Sequence, residues 1–181
     1  MCILAGGAAT RFPGKLSHKL GGVPLIERVY ANVRGHYPVY FSVNATFSPD
    51  IDAVLDAPMI VDRFPGRGPL GGLITVFENV LHERIFAIAG DAPFVDAAAL
   101  AALRDAWRPG DEAVTAEPLV ALYDRAAFLR AAHHVVHSGS GALKDVVNRL
   151  NARSIDLPQR TRINVNTPAD LQQARNYEAL T

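Results

Sequence analysis

This sequence contains one cysteine, Cys2. That excludes an internal disulfide and any zinc centre built on cysteine pairs. It has no surplus of either charge: Lys and Arg together number 18, as do Asp and Glu, and the formal net charge is zero. A broad basic face for nucleic acid or an anionic membrane surface is therefore not expected, although a local basic pocket for a small anion stays open. No apolar run reaches transmembrane length and no secretory leader is visible, so the expected location is cytoplasmic, with no membrane partner. No G-x-x-x-x-G-K-[ST] loop and no G-x-G-x-x-G fingerprint occur, which removes the Walker ATPase loop and the dinucleotide motif. No Ser-His-Asp or Cys-His arrangement points to covalent catalysis.

The chain does have glycine-rich loops. It opens with a short apolar segment, Met1-Cys2-Ile3-Leu4, followed by Ala5-Gly6-Gly7-Ala8-Ala9-Thr10-Arg11-Phe12-Pro13-Gly14-Lys15. A strand, then small residues, then Arg and Lys suits a phosphate. Glycines let backbone N–H groups approach phosphate oxygens, and Arg11 and Lys15 supply positive charge. The alternative is an ordinary strand-to-helix turn. A second glycine-rich stretch, Gly66-Arg67-Gly68-Pro69-Leu70-Gly71-Gly72, opens a helical pattern. It reads as an anion- or base-facing helix start, as close helix-to-sheet packing through Gly71 and Gly72, or as both together.

At 181 residues, 49% hydrophobic and 20% charged, the chain suits one globular domain spanning 1–181. Strands are expected at Cys2–Ala5, Val39–Val43, Met59–Val61, Ile85–Ala89, Ala113–Ala116 and Val120–Tyr123. Weaker ones fall at Ile155–Leu157 and Ile163–Val165. Helical spacing covers Leu25–Val33, Asp50–Leu55, Leu70–Leu81, Ala97–Trp107, Arg125–Ala132, Ala142–Leu150 and Ala169–Ala179. Asp96 and Thr167-Pro168 are helix-start signals. The stretch His133–Gly141 reads as loop. Its His133 and His137, four apart, lack a third ligand of matching spacing, so a solvated helix end or a substrate-side loop is expected there instead of zinc. Trp107 is expected in core or rim packing.

Alternating strands and helices imply a mostly parallel sheet covered on both faces. In such sheets ligands bind beyond the carboxyl ends of the strands. Four successive strand ends there carry the first loop, Asn44, Asp62 and Gly90-Asp91. Asp91 is placed to hold Mg²⁺, which takes one or two carboxylates plus phosphate oxygens, or else to cap the following turn. Asn44 and Asp62 read as partners of a base or sugar, or as turn-forming residues. Asn164-Val165-Asn166-Thr167-Pro168 is a compact polar turn before the last helix.

These motifs resemble the molybdenum cofactor guanylyltransferase family, within the nucleotidyltransferases of Rossmann-like α/β fold. The resemblance rests on Leu4-Ala5-Gly6-Gly7 with Arg11, Gly14-Lys15-Leu16, and Leu20-Gly21-Gly22-Val23-Pro24-Leu25-Ile26. It continues through Val43-Asn44, Val61-Asp62, Gly68-Pro69-Leu70-Gly71-Gly72-Leu73, Asp91-Ala92-Pro93-Phe94, and Asn164-Val165-Asn166-Thr167-Pro168-Ala169-Asp170-Leu171. Phe12-Pro13 replaces a more frequent Met-Gly, and Gly90 stands where Cys is common. The resemblance implies a three-layer α/β/α fold and Mg²⁺-dependent transfer of GMP from GTP to molybdopterin, releasing pyrophosphate. It implies that Leu4, Ala5, Gly6 and Gly7 meet the nucleotide through backbone, with Asn44, Asp62 and Gly71 nearby. Lys15, Arg11 and Asp91 would carry catalysis, Asp91 would bind the metal, and Asn164 and Asn166 would lie on the phosphate or pterin side. Contacts with other cofactor-biosynthesis proteins or acceptor enzymes would follow. The competing readings are a related enzyme using CTP or another NTP on a different phosphorylated acceptor, and a non-catalytic nucleotide-binding protein of the same fold.

Overall fold

Alternation of side chains along each strand sorts this chain's apolar residues onto two faces of one sheet. The computed structural model describes residues 1–6, 12–44, 52–64 and 66–180. The first half supplies β1 (Cys2–Leu4), β2 (Lys19–Leu20), β3 (Val23–Pro24), α1 (Leu25–Val33), β4 (Tyr40–Val43), β5 (Met59–Val61), α2 (Gly68–Asn79) and β6 (Arg84–Ala89). The second supplies α3 (Ala97–Asp105), β7 (Ala113–Glu117), β8 (Val120–Asp124), α4 (Arg125–His137), α5 (Leu143–Val147), β9 (Ala152–Ser154) and α6 (Pro168–Glu178). Among the described residues, seven strands form the sheet in the order β5-β4-β1-β6-β8-β7-β9. Only β8 runs against the rest. The remaining pair, β2 and β3, is a separate small hairpin.

In β6, Phe86 and Ile88 enter a core shared with Ile26, Val29 and Val33 of α1 and Leu100 and Leu103 of α3. Ile85 and Ala87 enter the opposite core, with Leu70, Leu73 and Phe77 of α2 and Phe128 of α4. Period-2 alternation against two helical layers produces the α/β/α sandwich. A third, smaller cluster joins Phe12, Leu20, Leu25, Val165, Leu171 and Ala174. It ties Phe12, the hairpin and α6 together.

The expected strands and helices of the first half lie where the structure has them, within a residue or two, apart from the helix at 50–55. Asp50 and Ile51 of that segment lie outside the described residues; Leu55 is buried. Three departures have physical causes. The stretch expected to be loop from His133 continues α4 to His137, because Val135 is buried in the core and holds that turn against the sheet. The helix expected to reach Leu81 ends at Asn79, and Leu81 is 88% exposed. Neither Ile155–Leu157 nor Ile163–Val165 is a strand. The edge strand is Ala152–Ser154, parallel to β7, and Pro158 then leads into a 3₁₀ turn at Gln159–Arg162. Ile163–Val165 instead crosses the turn after β6, where the Val165 N–H donates to the Asp91 carbonyl at 2.9 Å.

The unexpected hairpin is made by Gly21 and Gly22, both at positive φ (58° and 83°), which lets the chain reverse within two residues. Asp96 caps α3, accepting from the Ala99 N–H at 2.9 Å. Thr167 and Asp170 form a reciprocal capping box at the start of α6. Trp107 lies at the rim, with the Arg84 guanidinium 4.6 Å from its ring centre.

Candidate active site

The carboxyl ends of β5, β4, β1 and β6 are adjacent in the sheet, so the residues that follow them share one lip. A cavity of about 640 Å³ opens there. Leu4, Ala5 and Gly6 line it from β1, Asn44 from β4, Asp62 from β5 and Asp91 from β6. Lys15 closes it from just beyond β1 in the sequence, and Asn164 and Asn166 from a segment far away.

The floor is fixed by backbone hydrogen bonds. The Ala5 N–H donates to the Ser42 carbonyl and the Gly90 N–H to the Leu4 carbonyl, both at 2.8 Å. Gly6 passes close to Asn44: a Cβ there would lie 2.6 Å from Asn44 Oδ1. The absence of a side chain at Gly6 lets a ligand in the cavity approach the backbone there, as an anion or base requires.

Lys15 sits on a 3₁₀ turn, Lys15–Ser17, that starts after Gly14 at φ 64°. Phe12, stacked 4.2 Å from His18, packs that turn onto the third cluster. The Lys15 ammonium pairs with Asp91 Oδ2 and donates to Asn166 Oδ1 at 3.0 Å. An ammonium has three donors, so one remains for a third partner. Asp91 is 7% exposed, and among the described residues its Oδ1 has no hydrogen-bond partner. Asn166 is held by α6: its N–H and that of Thr167 both donate to Asp170 Oδ2, at 2.9 and 2.8 Å. The capping reading of the Asn164–Pro168 turn thus describes Thr167 and Asp170, and it leaves the two asparagines turned to the cavity. Asn164 Oδ1 is buried without a partner among the described residues.

Asp62 has two attachments. Its Oδ1 accepts from the Phe64 N–H at 2.8 Å, the turn-forming role, and from the Thr75 hydroxyl at 3.1 Å. Gly71, expected at the nucleotide, is buried beside Asp62: a Cβ there would lie 2.8 Å from the Phe64 carbonyl and 3.2 Å from Asp62 Oδ2. Gly72 abuts Ser42 and Leu4. Helix-to-sheet packing thus describes Gly72, Gly71 meets Phe64, Arg67 and Asp62, and Gly68 and Pro69, at the N-terminus of α2, line the cavity. Gly7 and Arg11 lie outside the described residues. Leu119, which sequence reasoning did not select, joins the wall because its carbonyl accepts from the Ala89 N–H at 3.1 Å; the Pro118 turn between two apolar runs was its only signal.

The histidines lie elsewhere. His133 Nε2 is 3.2 Å from Glu78 Oε1, and His137 Nδ1 is 2.6 Å from the His133 carbonyl.

Comparison with known proteins adds to this geometry. The family model described as "MobA-like NTP transferase domain" matches residues 1–156. A protein of Carboxydothermus hydrogenoformans named "Probable molybdenum cofactor guanylyltransferase" is 28% identical over 187 residues, covering 96% of this chain and 93% of its own. One of the same name from Natronomonas pharaonis is 30% identical over 192 residues, covering 96% and 95%. Among solved structures, molybdopterin-guanine dinucleotide biosynthesis protein A of Archaeoglobus fulgidus superposes with a TM-score of 0.82 at 23% identity, covering 99% of this chain and 98% of its own.

Proposed function

The chain belongs to the MobA-like NTP transferase family, and we propose on that footing that it transfers GMP from GTP to molybdopterin, releasing pyrophosphate. The observation that carries this reading is the convergence of Lys15, Asp91 and Asn166 beside the backbone that runs from Leu4 to Gly6 along the cavity. The relatives' names supply the substrates.

In the reaction, an oxygen of the acceptor's terminal phosphate attacks the α-phosphorus of GTP. A new P–O bond forms, the bond from the α-phosphorus to the bridging oxygen breaks, and the electron pair leaves with pyrophosphate. The attacking phosphate is already an anion, so no strong general base is needed. This suits a cavity without a histidine or catalytic serine pair among its described lining. The work left to the protein is positioning and charge neutralisation. Lys15, held from two sides, directs its remaining N–H at a phosphate oxygen and offsets the charge that gathers on the leaving group. With the Ala5 N–H held by Ser42, the remaining backbone groups of Ala5 and Gly6 contact the nucleotide, and Asn164 and Asn166 bound the acceptor side. Arg11 adds a second positive charge from the same loop.

Asp91 fits a Mg²⁺ ligand: a buried carboxylate with Oδ1 open, at a rim where phosphate oxygens complete the set. When bound, the ion would neutralise phosphate charge and polarise the α-phosphorus. No helix among the described residues is long and apolar enough to cross a membrane, and the reaction calls for none.

The test is pyrophosphate release from each of the four NTPs, with Mg²⁺, with and without molybdopterin. Release from GTP that depends on molybdopterin supports the proposal. Release with CTP alone, or GTP binding with no release, overturns it.

A further inference from the structure

Thr75 is a polar side chain in an apolar place. It lies on α2, is 1% exposed, and is surrounded by the core residues Leu73, Ile74, Val76 and Phe77 along the same helix. Its hydroxyl is within reach of three groups. It accepts from the Arg63 N–H at 3.2 Å, and it lies 3.1 Å from Asp62 Oδ1 and 3.0 Å from the Gly71 carbonyl. A hydroxyl has one proton to give. The Gly71 carbonyl already has the helical N–H of residue 75 as partner. The carboxylate is charged and makes the stronger bond, so the proton belongs to Asp62.

The consequence lies at the cavity. Phe64 N–H and Thr75 O–H together occupy Asp62 Oδ1 and fix the plane of the carboxylate. Among the described residues, Oδ2 has no hydrogen-bond partner. The lack of a side chain at Gly71 keeps space beside that oxygen, since a Cβ would come within 3.2 Å of it. An acceptor held in this way suits a purine edge that presents adjacent N–H donors. Guanine presents its ring N1–H and its 2-amino group; hypoxanthine has only the first, and adenine presents an acceptor at N1.

We propose that Thr75 is a positioning residue for base selection: it locks Asp62 so that Oδ2 receives the guanine edge. This rests on the proposed use of GTP. The experiment measures binding and turnover of GTP and ITP with Mg²⁺ for the wild type, Thr75→Val, which keeps the volume and removes the hydroxyl, and Thr75→Ser, which keeps the hydroxyl. The wild type should prefer GTP over ITP by about tenfold, the worth of one good hydrogen bond to a charged group. In T75V that preference should fall to about twofold through a higher KM for GTP, with kcat within about twofold of wild type, and T75S should restore it.

A T75V protein with lowered melting temperature but an unchanged GTP-to-ITP ratio would show a purely structural threonine and overturn the proposal. If T75V does not fold, Thr75→Ala carries the same comparison. A wild type that releases pyrophosphate from GTP yet treats ITP equally well overturns the Thr75 role and leaves the function standing. A wild type that neither binds nor turns over GTP overturns both.

Discussion

The carbonyl oxygen of Leu4 occupies the space that a side chain on Gly90 would need. The Gly90 N–H donates to that oxygen at 2.8 Å, and a Cβ on residue 90 would sit 2.7 Å from it and 3.0 Å from Ile26 Cδ1. This contact fastens the end of β6 to the end of β1, and so sets where Asp91 emerges. A larger residue at this point requires a different spacing of the two strand ends.

Gly90→Ala should therefore cost about 1–3 kcal/mol of stability, the usual range for forcing volume into a packed site. Turnover should fall further than stability alone accounts for, because Asp91 is the next residue. Thermal melts and pyrophosphate release on the same preparation separate the two. An unchanged melting temperature would mean that the strand ends relax freely.

Lys15→Ala and Asp91→Ala are each expected to reduce pyrophosphate release by at least about a hundredfold, in the range seen on removing a charge-stabilising group. Their far-ultraviolet circular dichroism should remain that of the wild type, since the pair lies on the cavity wall. Near-wild-type turnover in either variant would count against the assigned roles.

Thr167→Ala removes the N-cap of α6 and should cost about 1 kcal/mol. Because the same box holds Asn166, and Asn166 accepts from Lys15, a drop in kcat should accompany the drop in melting temperature. Asn166→Ala should show the kinetic effect with little of the thermal one. Equal thermal losses in both variants would separate the cap from the site.

Cys2 is fully buried in the sheet, and desolvation pushes its thiol up to about 12. At about pH 8 the thiol stays protonated, and only the thiolate is a good nucleophile. Iodoacetamide should leave Cys2 unmodified in the native protein and label it after unfolding in guanidinium, as read by intact mass. Rapid labelling of the native form would show that β1 opens readily.

Strands such as Met59–Val61 and Ile85–Ala89 are legible in the sequence because their apolar runs are short and bounded by turn residues. The strand-end rule then places Asn44, Asp62 and Asp91 on one lip with Ala5 and Gly6. Sequence alone does not distinguish the glycines that face a cavity from those that let a helix approach the sheet. Gly72 does the second, and only the positions of Ser42 and Leu4 reveal it. The Ile163–Val165 segment also misleads: its two apolar ends alternate like a strand, but Val165 fills the small cluster below Lys15 and bonds to the turn after β6. The last strand escapes notice because Ala152–Ser154 is an exposed edge with little apolar signal. The role of Thr75 is hidden for a related reason, since a lone threonine in an apolar helix carries no pattern.

The hydrogen bond from Lys15 to Asn166 spans 151 positions. During synthesis the lysine leaves the ribosome early, and its amide partner emerges only after the whole sheet has been made. A nascent chain can thus lay down β1 through β9 and still lack a complete grip on a triphosphate. The turn that begins α6 completes the site, after the sheet that carries its other residues has been made.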